Sequence, residues 1–517
     1  MQSPIRVLRS SISRSPASAS IFEFVLVSTL AVALIGSSIA NPLNPSPPEA
    51  PPVQTQPVAS SAVAYPLKAS SNKRYLVDRE DRPFLMIGDA PQTIITNLSV
   101  AEAATYMANR RSYGINTLWI NLLCNFSEAC NRTAVTLDGI APFLDAGDLS
   151  RPNPAYFERA DTIIKLAASH GMVVLLDAIE TSSWLPVLRA AGVDRAFAYG
   201  QYLGRLFKDD PNIIWMHGND FQSWRSRTDT ALVQAVARGI RSEDPVHIHT
   251  IELDYLTSGS LDDPTWAPLI ELDAAYTYFP TFAQVLTEYN HPDFRPVFLV
   301  EANYEFEHNP YTDGGSTRNL RRQQYWAMLC GATGHVYGSA YTWRLEKDWK
   351  RNLDTTGALE LRLMRDLFAG RKWYDLIPDQ DHRVVIDGYN ALAEYVGKLV
   401  AHVGNLQLQS RLVASAKRLT RLSSVGDNTY AATARSIDGT LVMTYLPSPR
   451  TVTVDMSGLT GPAHARWFDP TDGSYSAITG SPFANIGSRQ FRPPARNAAG
   501  DSDWMLVVET TPPPKSR

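Results

Sequence analysis

Cysteine is nearly absent: 3 residues in a chain of 517, which excludes a fold built on disulfides. Cys124 and Cys130 are close enough to bridge a small loop, and Cys330, in the apolar run MLCGATG, reads as a buried free thiol. No Cys/His cluster has zinc spacing, so no metal is expected. Charge of one sign is lacking too. Lys+Arg of 48 against Asp+Glu of 52 gives a net charge of −4, which points away from nucleic acid and anionic membranes as partners. No apolar run reaches the ~20 residues that cross a bilayer. Neither G-x-G-x-x-G nor G-K-[ST] follows the first apolar strand, so no phosphate loop and no nucleotide cofactor is expected.

What is present begins with an N-terminal export pattern. Arg6, Arg9 and Arg14 precede the apolar run Phe24–Gly36, and Ser38-Ile39-Ala40 supplies small residues for cleavage, so residues 1–40 read as a signal peptide. Once it is cleaved, no stable membrane insertion is expected, and the protein is expected to be secreted or periplasmic. Residues 41–64 are Pro-, Ala- and Ser-rich, a tether without a fold of its own.

From 65 to 375 short apolar runs alternate with amphipathic segments. Eight candidate strands can be counted: Phe84–Gly88, Ile115–Ile120, Met172–Asp177, Ile213–Met216, His247–Ile251, Leu272–Tyr278, Val297–Glu301 and Gly334–Gly338. Helical periodicity fills the intervals at Val100–Tyr113, Ala155–His170, Asp194–Lys208, Asp229–Glu243, Phe282–Tyr289 and Thr317–Cys330, and follows the last strand at Gly357–Leu367. Eight βα repeats over roughly 300 residues fit a (β/α)8 TIM barrel, an α/β fold. From 383 to 509 the texture turns to short alternating runs split by Gly, Asp and Pro, which predicts a C-terminal antiparallel β-sandwich domain; Leu399–Val403 and Leu422–Ser424 read as connections or further strands. Residues 510–517 read as a frayed tail.

A barrel of this kind carries its chemistry at the C-terminal ends of its strands. Those ends, in order, are Asp89, Asn121, Asp177, Asn219-Asp220, a weak fifth, Tyr278, Glu301 and His335, with Trp343 and Trp224 in following loops. Carboxylates, amides, a histidine and aromatic rings at one end of a barrel suit a sugar, whose hydroxyls take polar partners and whose apolar face takes a ring. Acetal hydrolysis needs two carboxyl groups flanking the bond. Asp220 and Glu301, at strands four and seven, are the expected pair. Asp89 and Asp177 read either as substrate contacts or as loop anchors, His335 as a substrate donor or an orienter of Glu301, and Trp224 and Trp343 as sugar platforms or packing.

The landmarks FLMIGDAPQ, YGINTLWINLL, NPAYFERADTIIKLAASHGMVVLL, IIWMHGND, VEANYE and GATGHVYGSAYTW occur in this order. Through them, residues 65–375 resemble the apiosidase-like glycoside hydrolase family, formerly a domain of unknown function. The following β domain resembles the accessory domain often named collagen-binding. The resemblance implies Asp220 as general acid/base and Glu301 as nucleophile of a retaining hydrolase acting on plant-type poly- or oligosaccharide, with Tyr304, Glu305, His335 and Tyr337 supporting the site. Glu305 is the rival nucleophile. Where the family tends to have Gly-Gly before the acid, this chain has His217-Gly218-Asn219, and His217 and Asn219 are expected to re-line the sugar subsite. The competing readings are a non-catalytic carbohydrate- or matrix-binding protein on a decayed barrel, and an endo-β-glucanase- or mannanase-like hydrolase.

Overall fold

A computed structural model describes residues 63–124, 130, 133–308, 314–404 and 421–510. The expected signal peptide and nearly all of the tether lie outside the described residues, as does the tail beyond Thr510.

Eight strands form the barrel: β1 Met86–Asp89, β2 Thr117–Asn121, β3 Val173–Glu180, β4 Ile213–Gly218, β5 His249–Ile251, β6 Asp273–Thr277, β7 Val297–Glu301 and β8 Ala332–Tyr337. The ladder runs β5-β4-β3-β2-β1-β8-β7-β6 with every neighbour parallel. The amides of Glu271 and Leu272 donate to the His249 carbonyl at 3.0 and 3.2 Å, which joins β5 to the segment entering β6 and closes the ring. Around it lie α1 Val100–Ser112, α2 Pro154–Ser169, α3 Thr181–Ala191, α4 Val193–Phe207, α5 Arg227–Glu243, α6 Thr281–Tyr289, α7 Thr317–Leu329 and α8 Thr356–Ala369. Local sequence explains their limits. Ser99 and Glu102 form a reciprocal capping box at α1, and Asn153 followed by Pro154 opens α2.

Side chains alternate across each strand, so the barrel has an inner and an outer face. Met86, Trp119, Val173, Leu175, Ile214, Met216, Leu272, Ala274, Phe298, Val300 and Val336 form one buried cluster filling the interior. Ile87, Leu118, Val174, Leu176, Leu299 and Tyr337 belong to another, packed between strands and helices. The expected first strand is divided. Pro83–Phe84 pairs in a small antiparallel ladder with Leu76–Val77, and only Met86–Asp89 enters the barrel.

The β domain has two antiparallel sheets. Strands β9 Leu376–Pro378, β11 Ala432–Ser436, β12 Leu441–Leu446, β14 His464–Phe468, β15 Tyr475–Ala477 and β17 Trp504–Glu509 form one in the order β9-β11-β12-β17-β14-β15. Strands β10 Val385–Asp387, β13 Val452–Asp455 and β16 Ser488–Phe491 form the other, with β13 central. Val442, Leu506 and Val508 pack with Val385, Val452, Val454 and Phe491 between them. The run Leu399–Val403, expected as a connection or strand, lies within helix α9 Ala391–Gly404, and Leu422–Ser424 overlaps a single 3-10 turn at Arg421–Ser423. The domain is bolted to the barrel through α7. Arg321 donates to Asp503 at 2.9 Å and Glu360 at 2.8 Å, and Trp326 Nε1 donates to the Tyr430 carbonyl at 3.1 Å. Cys124 and Cys130 are disulfide-bonded and Cys330 is buried and free. Among the described residues no helix is long and apolar enough to cross a membrane.

Candidate active site

At the C-terminal mouth of the barrel lies a cavity of about 150 Å³, below the ~300 Å³ at which most ligand pockets begin. Asp220, Glu301, Asn219, Tyr278, Tyr304 and Trp343 line it, as expected. So do Gln92, Glu180, Ser182 and Glu307, which the strand-end reading did not name.

Asp220 and Glu301 face one another across a tyrosine. The Tyr276 hydroxyl oxygen is 2.9 Å from Asp220 Oδ1 and 2.8 Å from Glu301 Oε1, so these two oxygens lie no more than 5.7 Å apart, the sum of the two distances. Glu301 is held in a tyrosine cage. Tyr278 donates to Oε1 at 2.6 Å and Tyr304 to Oε2 at 2.7 Å. Burial raises the Glu301 pKa, and the three hydroxyls pull it back by stabilising the ionised form. Burial raises the Asp220 carboxyl well above the usual range, and the Glu301 charge raises it further, with only the Tyr276 hydroxyl opposing. A phenol has one proton to give. With Asp220 protonated, its O–H donates to Tyr276, and Tyr276 donates onward to ionised Glu301. The pair therefore favours one proton, resident on Asp220.

The segment carrying Asp220 is strained. Gly218, Asn219 and Asp220 have φ of 105°, 49° and 53°. A Cβ on Gly218 would strike the Glu252 carbonyl, so glycine is required there. Asn219 tolerates the left-handed region better than most residues, which suits it to this turn. Its amide accepts from Asn121 Nδ2 at 2.9 Å and donates to Glu252 Oε2 at 3.2 Å, and the Asp220 amide donates to the same oxygen at 3.1 Å. Glu252, at the end expected to be weak, is fully buried and braces this turn. Burial, followed by the charges of Glu301 and Asp220, raises its pKa well above normal. Its signal in sequence was a carboxylate directly after the β5 run, in IELDY. Tyr276 could have been found by stepping two residues back from Tyr278 on one strand face.

Other expected site residues are placed elsewhere. Asp89 faces outward, accepting from the Tyr106 hydroxyl and Arg110 Nε, both at 2.5 Å. Val336 points into the barrel, so His335 and Tyr337 point out of it. Burial lowers the His335 pKa to about 3, leaving it neutral. Glu305, the rival nucleophile, accepts from Tyr337, from Thr355 Oγ1 at 2.7 Å and from the Gly357 amide at 2.9 Å, capping α8. His217 does not re-line the subsite. It stacks between His249 and Trp266 behind β4, with ring centroids at 5.2 and 5.7 Å. Asp177 is wholly buried inside the barrel and does not line the cavity; burial raises its pKa well above normal. Asn121 acts on the site through Asn219. Trp224 lines a separate surface hollow beside Arg225, whose guanidinium carbon lies 3.8 Å from the ring centroid. Among the described residues no group of Cys, His, Asp and Glu could hold a metal ion.

Comparison with known proteins identifies the fold and the family. No curated protein matches the chain. One similar solved structure, described as a glycoside hydrolase, is 20% identical with a TM-score of 0.70, covering 87% of this chain and 97% of its own. Another, described as a glycoside hydrolase family 5 from Bacteroides vulgatus, is 20% identical with a TM-score of 0.69, covering 86% and 93%. At that identity they establish the shared fold. The family model described as "Putative collagen-binding domain of a collagenase" matches residues 419–509. The model described as "Apiosidase-like, catalytic domain" matches residues 70–375, more than half of the chain, and the chain thus belongs to the apiosidase-like family of glycoside hydrolases.

Proposed function

We propose that the protein is an exported retaining glycosidase in which Asp220 is the general acid/base and Glu301 the nucleophile. The observation that carries this reading is the Asp220–Tyr276–Glu301 arrangement, with its oxygens at most 5.7 Å apart. Retaining enzymes place their carboxyl groups about 5–5.5 Å apart, and inverting ones about 6.5–9.5 Å to admit a water. Asp220 gives its proton to the leaving-group oxygen while Glu301 attacks the anomeric carbon and forms a glycosyl ester. Water, deprotonated by Asp220, then attacks the same carbon, and the ester bond to Glu301 breaks. The Tyr276 hydroxyl hydrogen starts directed at Glu301 and is free to turn to Asp220 as Asp220 becomes charged, following the charge through the reaction. The cavity's small size supports recognition of a single terminal sugar, and the export pattern of residues 1–40 and the carbohydrate-active family support work on plant-type glycans outside the cytoplasm.

The test is a panel of aryl glycosides and of pectic and hemicellulosic oligosaccharides, assayed for released sugar with wild type and Glu301→Gln. Hydrolysis by wild type, lost by more than about 10³-fold in the variant at unchanged melting temperature, is expected. Full activity of Glu301→Gln would overturn the mechanism. Binding of a glycan by a wild type that hydrolyses none would favour the non-catalytic reading.

A further inference from the structure

Beside the catalytic cavity runs a second hollow of about 650 Å³, lined by Phe306, Glu307 and Arg318 among others, and by Asp427 of the β domain. Glu307 lines both spaces, so the two adjoin at that side chain. Phe306 is 53% exposed, and Tyr341, 40% exposed, packs edge-on against it with centroids 5.5 Å apart. Two large exposed rings in contact at the mouth of a barrel contrast with the single scattered apolar residues of an ordinary surface. Phe306 is moreover held at φ 63°, a conformation bulky residues seldom adopt and one retained where the surrounding backbone enforces it.

The enforcement is visible. The Glu305 amide donates to the Gly338 carbonyl and the Ala340 amide to the Glu305 carbonyl, each at 2.8 Å, zipping the loops after β7 and β8 together. The Phe306 amide donates to Gly315 at 3.1 Å, and a Cβ on Gly315 would collide with the Tyr304 carbonyl. The backbone that carries the rings is thus fixed before any ligand arrives, which lowers the ordering cost of binding. Across the hollow, Arg318 donates to the Gly426 carbonyl at 2.6 Å, which fixes its guanidinium near Asp427.

We propose that this hollow is a second sugar subsite, in which Phe306, buttressed edge-on by Tyr341, carries the ring face, and Arg318, Asp427 and Glu307 the hydroxyls, of the glycan residues attached to the sugar in the cavity. The proposal rests on the glycosidase reading above. It makes the substrate an oligosaccharide or a polysaccharide end rather than a glycoside of a small alcohol, and it gives the β domain a part in the site through Asp427.

The experiment compares kcat/KM of wild type, Phe306→Ala, Tyr341→Ala and Phe306→Trp on two probes: the 4-nitrophenyl monoglycoside that wild type cleaves, and pectic or hemicellulosic oligosaccharides ending in the same sugar. Phe306→Ala is expected to lose at least about tenfold more on the oligosaccharide than on the monoglycoside, chiefly in KM, as one stacked ring is removed. Phe306→Trp is expected to restore it. Melting temperatures identify a misfolded variant, in which case Tyr341→Ala carries the comparison. Equal losses on the two probes, or no loss on either, overturn the subsite and leave Asp220 and Glu301 in their roles. A wild type that cleaves no probe overturns both.

Discussion

The inner and outer faces of the barrel mouth both carry buried carboxylates, and they complete their hydrogen bonds differently. On the outer face, Asp89 is paired with Arg110 and Tyr106, and Glu305 with Tyr337, Thr355 and the amide of Gly357. These are fully engaged with fixed protein donors and tie helices to strands. On the inner face, Glu252 Oε1 and both oxygens of Asp177 are buried without a protein partner, and Asp220 shares one phenol with Glu301. Acids lacking donors in a dry site hold protons instead of charge. The outer face is therefore architecture, and the inner face is a reservoir of perturbed acids of the sort that chemistry uses.

That contrast can be broken from either side. Arg110→Met leaves the buried Asp89 without its cation and is expected to cost about 3–5 kcal/mol of stability, read by urea unfolding, while kcat of the folded fraction stays near wild type. A large fall in kcat would blur the division. On the inner face, Tyr278→Phe removes a donor to ionised Glu301, so the Glu301 pKa rises and a higher pH is needed to ionise it. The acidic limb of the kcat/KM profile is expected to move up by about one to two pH units, given the ~1.5–3 kcal/mol of a charged hydrogen bond. A downward or absent shift would remove Glu301 from that limb. The smallest effect is expected of Glu252→Gln. The amide oxygen can still accept from Asn219 and Asp220, and an uncharged Glu252 takes no charge with it, so kcat should change less than about threefold and the basic limb should stay in place. A basic limb moved to lower pH would show that Glu252 is an anion supporting the Asp220 proton.

Most of the fold was legible because period and punctuation agreed: alternation of apolar runs locates all eight barrel strands and seven of their helices, with the first strand divided at Leu85 so that Phe84 falls outside the barrel. Helix α3 was missed because Pro186 interrupts its pattern and because β3 runs on to Glu180, past the expected end at Asp177. Helix α9 was missed because its C-terminal apolar run is as short as a strand. In the site, position along a strand was readable and parity was not. Asp89 and Tyr337 do sit at strand ends while His335, expected at one, lies inside β8, paired with Ile87 and Leu299; all three are out of phase with Met86 and Val336 and face the helices, since a single-residue shift exchanges the two faces. Glu301 escapes this rule through a bulge. The β6–β7 register shifts so that Tyr276 pairs with Glu301, bringing the carboxylate to the tyrosine beside the cavity. Backbone irregularities of this sort, like the left-handed Asn219-Asp220 turn, leave little trace in composition.

The most direct test separates two glutamates four residues apart. A 2-deoxy-2-fluoro derivative of the sugar released in the panel, carrying a good leaving group, should accumulate the glycosyl ester, and tandem mass spectrometry of the digested protein locates it. The added mass is expected on Glu301, on the inner face, and a label on Glu305 instead would contradict the assignment of the nucleophile.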